Sequence, residues 1–368
     1  MEPRIRLLVV DDSNFVRVAL RKMLEQAADI EIVGEARNGA EALRLSRKLK
    51  PHVIAMDLNM PIMDGIESVQ AIAREKGPPC IMVSNDTSEG AEATIRALEA
   101  GAVDFVCKAT SFVKLDLASI EKQVTEKVRR WGRWRMAATQ PVPQPTPEAV
   151  PEPEPEPVPL PARRPAAAAA AFGAKSGRPD LIVVGVSTGG PVALAELLGT
   201  LGPLPCPLVV AQHMPATFTA GFAASLTRSL RRPVVEGAEG QTLENGTVTI
   251  LKGGGDWAVR RLASGRFALQ AMTDSNEIYH PSANHLFRSA AAEAQAPVAV
   301  ILTGMGDDGT DGARSLAARQ RPVLVQDPAS CAVDGMPTAA IRAGVAGEVL
   351  PVASIARKLN LLINIQEA

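Results

Sequence analysis

Residues Pro141 to Pro165 forbid a single continuous core. The stretch is Pro, Glu and Ala with almost no bulky apolar side chains, and it includes Pro151-Glu152-Pro153-Glu154-Pro155-Glu156-Pro157. Proline has no N–H to donate and repeated like charges repel, so a stiff, extended, solvated spacer is expected. The tract Ala166 to Ala171 that follows can form a short helical piece but buries nothing alone. The spacer divides the 368 residues into two halves of similar size, each able to bury its own core. The expected layout is a folded unit over 1–127, a Pro/Glu/Ala-rich linker over 128–178 and a second folded unit over 179–368.

In the first half, short apolar runs alternate with amphipathic segments. Strands are expected at Ile5–Val10, Glu31–Ala36, Val53–Asp57, Cys80–Ser84 and Val103–Lys108. Helices are expected at Asn14–Gln26, Gly39–Leu49, Gly65–Glu75, Glu89–Ala100 and Lys114–Arg130. Strands that are apolar throughout, joined by crossover helices, imply a doubly wound parallel sheet covered on both faces. Five such units fit the flavodoxin-like strand order. The second half repeats the logic at Leu181–Val186, Pro207–Gln212, Val298–Thr303 and Val323–Gln326. Between His213 and Pro297 the pattern changes. Thr247–Lys252 and Arg266–Ala271, with turn signals at Asn245-Gly246 and Ser264-Gly265, read as an inserted antiparallel hairpin. The fold class is therefore α/β, with two doubly wound parallel-sheet domains: one flavodoxin-like, one Rossmann-like with a hairpin insertion.

Bulk properties exclude several functions. A formal charge of −1 gives no electrostatic reason to expect a nucleic-acid partner. Cys80, Cys107, Cys206 and Cys331 are scattered without a C-x-x-C pair. They read as reduced, mostly buried thiols of a cytoplasmic protein rather than a metal or disulfide framework. No apolar run approaches membrane-spanning length, so no direct membrane insertion is expected. The apolar stretch after Arg4 and Arg6 stops at Asp11, too short for a signal peptide.

Asp11 and Asp12 end the first strand, Asp57 the third, Ser84 the fourth and Lys108 the fifth. In a parallel sheet all five lie outside the carboxyl ends of the strands, where such folds bind ligands. Three carboxylates together repel unless a cation joins them, and hard oxygen ligands suit Mg²⁺. A hydroxyl and a lysine suit phosphoryl oxygens. Helix capping accounts for any one of these Asp residues, but not for carboxylates, hydroxyl and lysine all falling at strand ends. Val9-Val10-Asp11-Asp12-Ser13, Met56-Asp57-Leu58-Asn59-Met60-Pro61-Ile62-Met63-Asp64-Gly65 and Gly101-Ala102-Val103-Asp104-Phe105-Val106-Cys107-Lys108 resemble response-regulator receiver domains over about residues 4–125. The resemblance implies that Asp57 accepts a phosphoryl group from a histidine kinase. It implies that Asp11, Asp12, Asp57 and the Asn59 carbonyl hold Mg²⁺, that Ser84 and Lys108 read the phosphate, and that Phe105 is the switch aromatic. Ala109 stands where receivers usually carry Pro.

In the second half the apolar run Leu181–Val186 ends in Gly185-Val186-Ser187-Thr188-Gly189, and a helix-like segment follows from Pro191. A serine at a sharp strand-to-helix turn is exposed, with backbone N–H groups at hand for an oxyanion. His213 follows the next strand, and Asp307 and Asp308 follow Ile301-Leu302-Thr303-Gly304-Met305-Gly306. Ser, His and Asp can thus meet at one sheet edge as nucleophile, proton shuttle and orienting carboxylate. His52, His280 and His285 compete for the histidine role. A nucleotide-phosphate loop is disfavoured because Gln212 and His213, not an acid, stand about 20 residues downstream. The order Ser, His, Asp differs from the Ser, Asp, His of α/β-hydrolases.

The segments Val186–Gly190, Gln212-His213-Met214-Pro215, Leu302–Gly309, Ala329-Ser330-Cys331 and Gly335-Met336-Pro337 resemble the catalytic domain of the chemotaxis protein-glutamate methylesterase family, CheB, over about residues 180–352. The resemblance implies Ser187 as nucleophile, His213 as general base then acid, and Asp308 as orienting carboxylate. The backbone N–H groups of Thr188 and Met305 would form the oxyanion hole, and Asp307 has no role. It implies hydrolysis of glutamate γ-methyl esters and deamidation of glutamines on cytoplasmic chemoreceptor helices, with no cofactor for the hydrolysis. Two stretches depart from the family pattern. Lys252-Gly253-Gly254-Gly255-Asp256-Trp257 stands for a Pro-Gly-Gly-x-His turn, and His280-Pro281-Ser282-Ala283-Asn284 stands for Arg-Pro-Ser-x-Asp. Surface drift and an altered cleft both account for them. These departures and Ala109 leave an alternative open: a non-catalytic response regulator whose second domain binds a receptor or signalling partner.

Overall fold

The computed structural model describes residues 3–85, 88–108, 117–139, 178–273 and 277–364, with backbone alone at 84, 85, 88, 89, 107, 108, 117–120 and 137–139. Ala109 and the Pro/Glu stretch lie outside the described residues.

The first unit alternates β1 (Ile5–Val10), α1 (Asn14–Glu25), β2 (Ile30–Ala36), α2 (Gly39–Leu49) and β3 (Val53–Asp57). It continues with α3 (Gly65–Arg74), β4 (Cys80–Asn85), α4 (Ser88–Glu99), β5 (Asp104–Lys108) and α5 (Leu117–Thr139). The sheet is parallel in the order β2-β1-β3-β4-β5. Local chemistry starts the helices: Asp64 and Glu67 make a reciprocal capping box at α3, and Asn38 accepts from Glu41 N–H at α2.

One expected boundary moves. The division at 127/128 falls inside α5, which continues to Thr139. Val128 and Trp131 are buried in the cluster formed with Ile5 and Leu7, and the Trp131 indole donates to Asp104 Oδ2 at 3.3 Å. Lys127 pairs with the same carboxylate at 2.6 Å. An apolar anchor beyond the periodic stretch keeps the helix on the sheet.

The second unit begins with β6 (Leu181–Val186), α6 (Gly190–Thr200), β7 (Leu208–Gln212), α7 (Ala216–Leu230), β8 (Val234–Glu236), β9 (Thr242–Leu243) and β10 (Val248–Ile250). Then come β11 (Asp256–Arg261), β12 (Phe267–Met272), α8 (Ala283–Glu293), β13 (Pro297–Ile301), α9 (Thr310–Ala318), β14 (Val323–Gln326), α10 (Gly335–Arg342), β15 (Glu348–Leu350) and α11 (Val352–Ile363). Seven strands form a parallel sheet, β15-β14-β13-β6-β7-β10-β8. A separate antiparallel sheet has the order β11-β12-β9.

The hairpin was expected from the wrong partner. Thr247–Lys252 contributes β10 to the parallel sheet, because Val248, Thr249 and Ile250 are all buried between two layers. The hairpin is β11 with β12, turning at Ser264-Gly265. Asp256 hides β11 from apolar periodicity.

Cys80, Cys206 and Cys331 are free and buried, and burial pushes each thiol up to about 12. Among the described residues no helix is long and apolar enough to cross a membrane.

The units meet along α4, β5 and α5 of the first. Phe105 stacks on Phe218 of α7 with ring centroids 4.8 Å apart, and Glu99 accepts from Ser225 Oγ at 2.5 Å. Trp131→Ala should lower the stability of the first unit by about 3–5 kcal/mol, read as a shifted urea midpoint. An unshifted midpoint would place the end of α5 outside the fold.

Candidate active site

Both sheets reverse their winding direction, and each carries a residue cluster at that point. In the first sheet the reversal lies between β1 and β3. Asp11 and Asp12 leave β1 there and Asp57 closes β3, with ligand oxygens within 4.8 Å of one another. Asp11 is buried, Asp57 half-buried and Asp12 exposed. Three carboxylates this close are a hard-oxygen donor set that fits a divalent cation such as Mg²⁺. Arg17, missed in the sequence, is buried here and donates to the carbonyls of Asp11 and Asp12 at 2.7 and 3.1 Å. Its guanidinium also meets Glu35. Ser84 follows Val83, the register partner of Asp57, and Lys108 pairs with Asn85. The Ser84 and Lys108 side chains lie outside the described residues. Asn59 is exposed in the loop after β3.

In the second sheet the reversal lies between β6 and β13. Ligand crevices in such sheets open at this point. Val186 pairs with Gln212, so Ser187 and His213 leave adjacent strand ends side by side, and His213 N–H donates to the Val186 carbonyl at 3.1 Å. Ser187 N–H donates to the Thr303 carbonyl at 3.0 Å, which ties the serine to the loop after β13. Gln212, buried, donates to the Ser187 carbonyl at 3.0 Å.

His213 Nε2 lies 2.8 Å from Asp308 Oδ2. Asp308 is buried, and its carboxylate also accepts from Ser282 Oγ (3.1 Å) and from the N–H groups of Ala283 (2.7 Å), Asn284 (2.9 Å) and Gly309 (2.8 Å). Burial pushes this carboxyl up. The His213 bond and charge and the Ala283 and Asn284 N–H groups outweigh that, and the pKa lies below its ordinary value. His213 Nδ1 is buried, with no hydrogen-bond partner among the described residues. The Ser187–His213 bond is therefore not formed in this state. Catalytic hydrogen bonds often tighten only when substrate binds.

The competing histidines are engaged elsewhere: His52 accepts from Arg6 N–H, His280 pairs with Asp256 and His285 lies 4.0 Å from Glu277. Asp307 is exposed.

The loop carrying Met305 approaches Ser187 only because residue 304 is glycine. A Cβ there would lie 2.9 Å from Ser187 Cβ and 2.1 Å from Met336 Sδ. Gly189, at φ +78°, makes the turn into α6 after Thr188. Thr188 and Met305 line a common cavity of about 230 Å³ with Gly335 and with Glu126, Arg129 and Arg130 of α5.

Sequence reasoning missed Tyr279. Its ring lies parallel to the His213 imidazole, with centroids 4.9 Å apart and planes 5° apart. Burial, then Glu126, Asp307 and Asp308, hold the phenol above its ordinary pKa. Of the departing positions, Asn284 and Asp256 are buried, whereas Lys252 and His280 are exposed.

Fold and site together define a receiver-type response regulator joined to an α/β output domain with Ser, His and Asp at its switch point. The receiver-domain model, "Response regulator receiver domain", matches residues 7–119, and "CheB methylesterase" matches residues 182–359. A protein-glutamate methylesterase/protein-glutamine glutaminase of Oleidesulfovibrio alaskensis is 40% identical, over 96% of this chain and 98% of its own. One of Nitratidesulfovibrio vulgaris is 44% identical over 96% and 97%. The crystal structure of the Thermotoga maritima CheB methylesterase catalytic domain is 34% identical, covering 51% of this chain and 99% of that chain with a TM-score of 0.48. The chain belongs to the protein-glutamate methylesterase/protein-glutamine glutaminase (CheB) family.

The depressed Asp308 pKa has a signed consequence. Its stabilisation is present above the unfolded carboxyl value of about 3.9 and is lost as pH falls through the lower native pKa. In urea titrations at graded pH, the stability difference between the native chain and Asp308→Asn should be constant above about pH 5 and shrink below it. A pH-independent difference would remove Asp308 from the linkage.

Proposed function

We propose that this chain hydrolyses glutamate γ-methyl esters and deamidates glutamines on the cytoplasmic helices of chemoreceptors, in the cytoplasm and under control of phosphorylation at Asp57. The observation that carries the reading is the buried His213–Asp308 bond beside Ser187 at the switch point. It occurs in a chain whose relatives of that name align along nearly its whole length.

In the proposed mechanism Ser187 Oγ attacks the ester carbonyl carbon, and His213 takes the hydroxyl proton. Nε2 is engaged by Asp308, so the receiving nitrogen is Nδ1, which has no partner among the described residues. Asp308 fixes the tautomer and stabilises the imidazolium. The Thr188 and Met305 N–H groups hold the oxyanion. His213 returns the proton to the leaving methoxide, methanol departs, and water clears the acyl-enzyme by the same relay. For glutamine the leaving group is ammonia. A purely binding output domain gives no reason to bury an imidazole against a carboxylate next to a serine.

For control, a histidine kinase is the proposed phosphodonor. Asp11, Asp12, Asp57 and the Asn59 carbonyl would hold Mg²⁺, with Ser84 and Lys108 on the phosphoryl oxygens. When bound, the ion neutralises charge during phosphoryl transfer to Asp57. The face that would switch is the one lying on the output domain. Phe105 stacks on Phe218, and Arg130 pairs with Asp334 at 2.7 Å and donates to the Ala332 carbonyl at the rim of the cavity that Thr188 and Met305 line. Phosphorylation would loosen this contact and admit a receptor helix.

Full-chain methanol release from methylated receptor membranes, with and without a small-molecule phosphodonor, tests chemistry and control together. Release should rise with the donor, and the rise should vanish in Asp57→Asn. Ser187→Ala should lose release entirely, and retained release would end the serine mechanism. Arg130→Ala removes a half-exposed ion pair worth about 0–1 kcal/mol, so donor-free activity should rise by up to about fivefold. Unchanged activity would exclude that contact from inhibition.

A further inference from the structure

The two stretches that depart from the family pattern meet each other beside the site. Asp256 opens β11 after Gly253-Gly254-Gly255 and is 2% exposed. Its Oδ2 lies 2.8 Å from His280 Nδ1, and its Oδ1 accepts the Ser282 N–H at 2.6 Å. Ser282, fully buried, donates its hydroxyl to Asp308 Oδ1 at 3.1 Å. Asp256 therefore grips the segment 279–284 at residues 280 and 282. That segment supplies Tyr279, whose ring covers His213, and the Ser282, Ala283 and Asn284 donors that hold Asp308.

We propose that Asp256 and His280 form a second histidine–carboxylate pair whose work is positioning: it anchors the segment 279–284, and through it the stacked tyrosine and the hydrogen-bond cradle of Asp308. The proposal rests on the reading of Ser187, His213 and Asp308 given above. Helix capping alone does not require this pair. Ser282 Oγ already accepts the Asn284 and His285 N–H groups at the start of α8, while Asp256 binds the N–H of Ser282 itself, outside the helix. A buried carboxylate is costly without a partner, and the side chain that meets Asp256 here is His280, whose own side chain is 38% exposed. The pair therefore links a buried anchor to the rim of the site. Neither residue touches the reacting atoms.

The sole tyrosine of the chain makes the anchor observable without activity. Asp256→Ala in the full chain should lower kcat for methanol release by up to about 100-fold, the loss that a misplacement of about 1 Å can cause, while KM for the methylated receptor changes less than about twofold. Tyrosine nitration, which reads Tyr279 alone, should accelerate several-fold. Asp256→Asn keeps an oxygen for the Ser282 N–H and an N–H for His280 Nδ1. It should restore both kcat and the slow nitration rate. Full kcat in Asp256→Ala overturns the proposal. So does an equal loss in Ala and Asn variants with nitration unchanged. If Asp256→Ala does not fold, His280→Ala against His280→Gln makes the same comparison with the same readouts. If the native chain releases no methanol, the esterase reading fails by itself, and the nitration series still decides whether Asp256 anchors Tyr279.

Discussion

A carboxylate taken out of water has to be satisfied, and the output domain is arranged around satisfying Asp308. Its two oxygens accept from His213, Ser282 Oγ and three backbone N–H groups. Each donor comes from a part of the chain that has to be in place first. His213 needs β7 beside β6. The Ser282–Asn284 donors need the start of α8 under the loop after β13. Remove that convergence and the charge is left buried and underpaired, at a cost of several kcal/mol. The hydrogen-bond demand of one side chain thus couples the parallel sheet, the start of α8 and the His213 imidazole.

The chain uses one topological device twice. In each sheet the strand order turns back on itself, between β1 and β3 and again between β6 and β13. Loops on either side of such a point diverge and leave a crevice at the carboxyl ends. In the first sheet the crevice collects acidic oxygens suited to a cation and a phosphoryl group. In the second it collects a hydroxyl, an imidazole and a carboxylate suited to proton transfer. The two units touch: β5 and α5 of the first reach Phe218, Asp334 and the cavity wall of the second.

The longer strands of both parallel sheets were legible because burial on both faces leaves an unbroken apolar run, as at Leu181–Val186, buried at all six positions. Short strands were not. β8, β9 and β15 have two or three residues, too few for any period. Thr247–Lys252 misled because apolar content does not say which sheet a strand joins. The end of α5 misled because Trp131 and Val128 stand among Arg129, Arg130 and Arg133, and only the packing on Ile5 and Leu7 shows which side matters. Ser187, His213 and Asp308 were legible as residues that follow the buried strands β6, β7 and β13. Tyr279 and Arg17 were not, since a lone aromatic and a lone arginine carry no pattern.

By itself, the sequence determined the two-unit layout, the α/β class and which side chains sit at strand ends, because hydrophobic period, proline content and strand-terminal chemistry are all local properties. Only the tertiary structure decided that Tyr279 covers His213, that Asp256 reaches Ser282 and that Phe105 lies on Phe218. Those outcomes depend on strand order, crossover and register, which bring together residues up to a hundred positions apart and more, and no local property of the chain encodes that proximity.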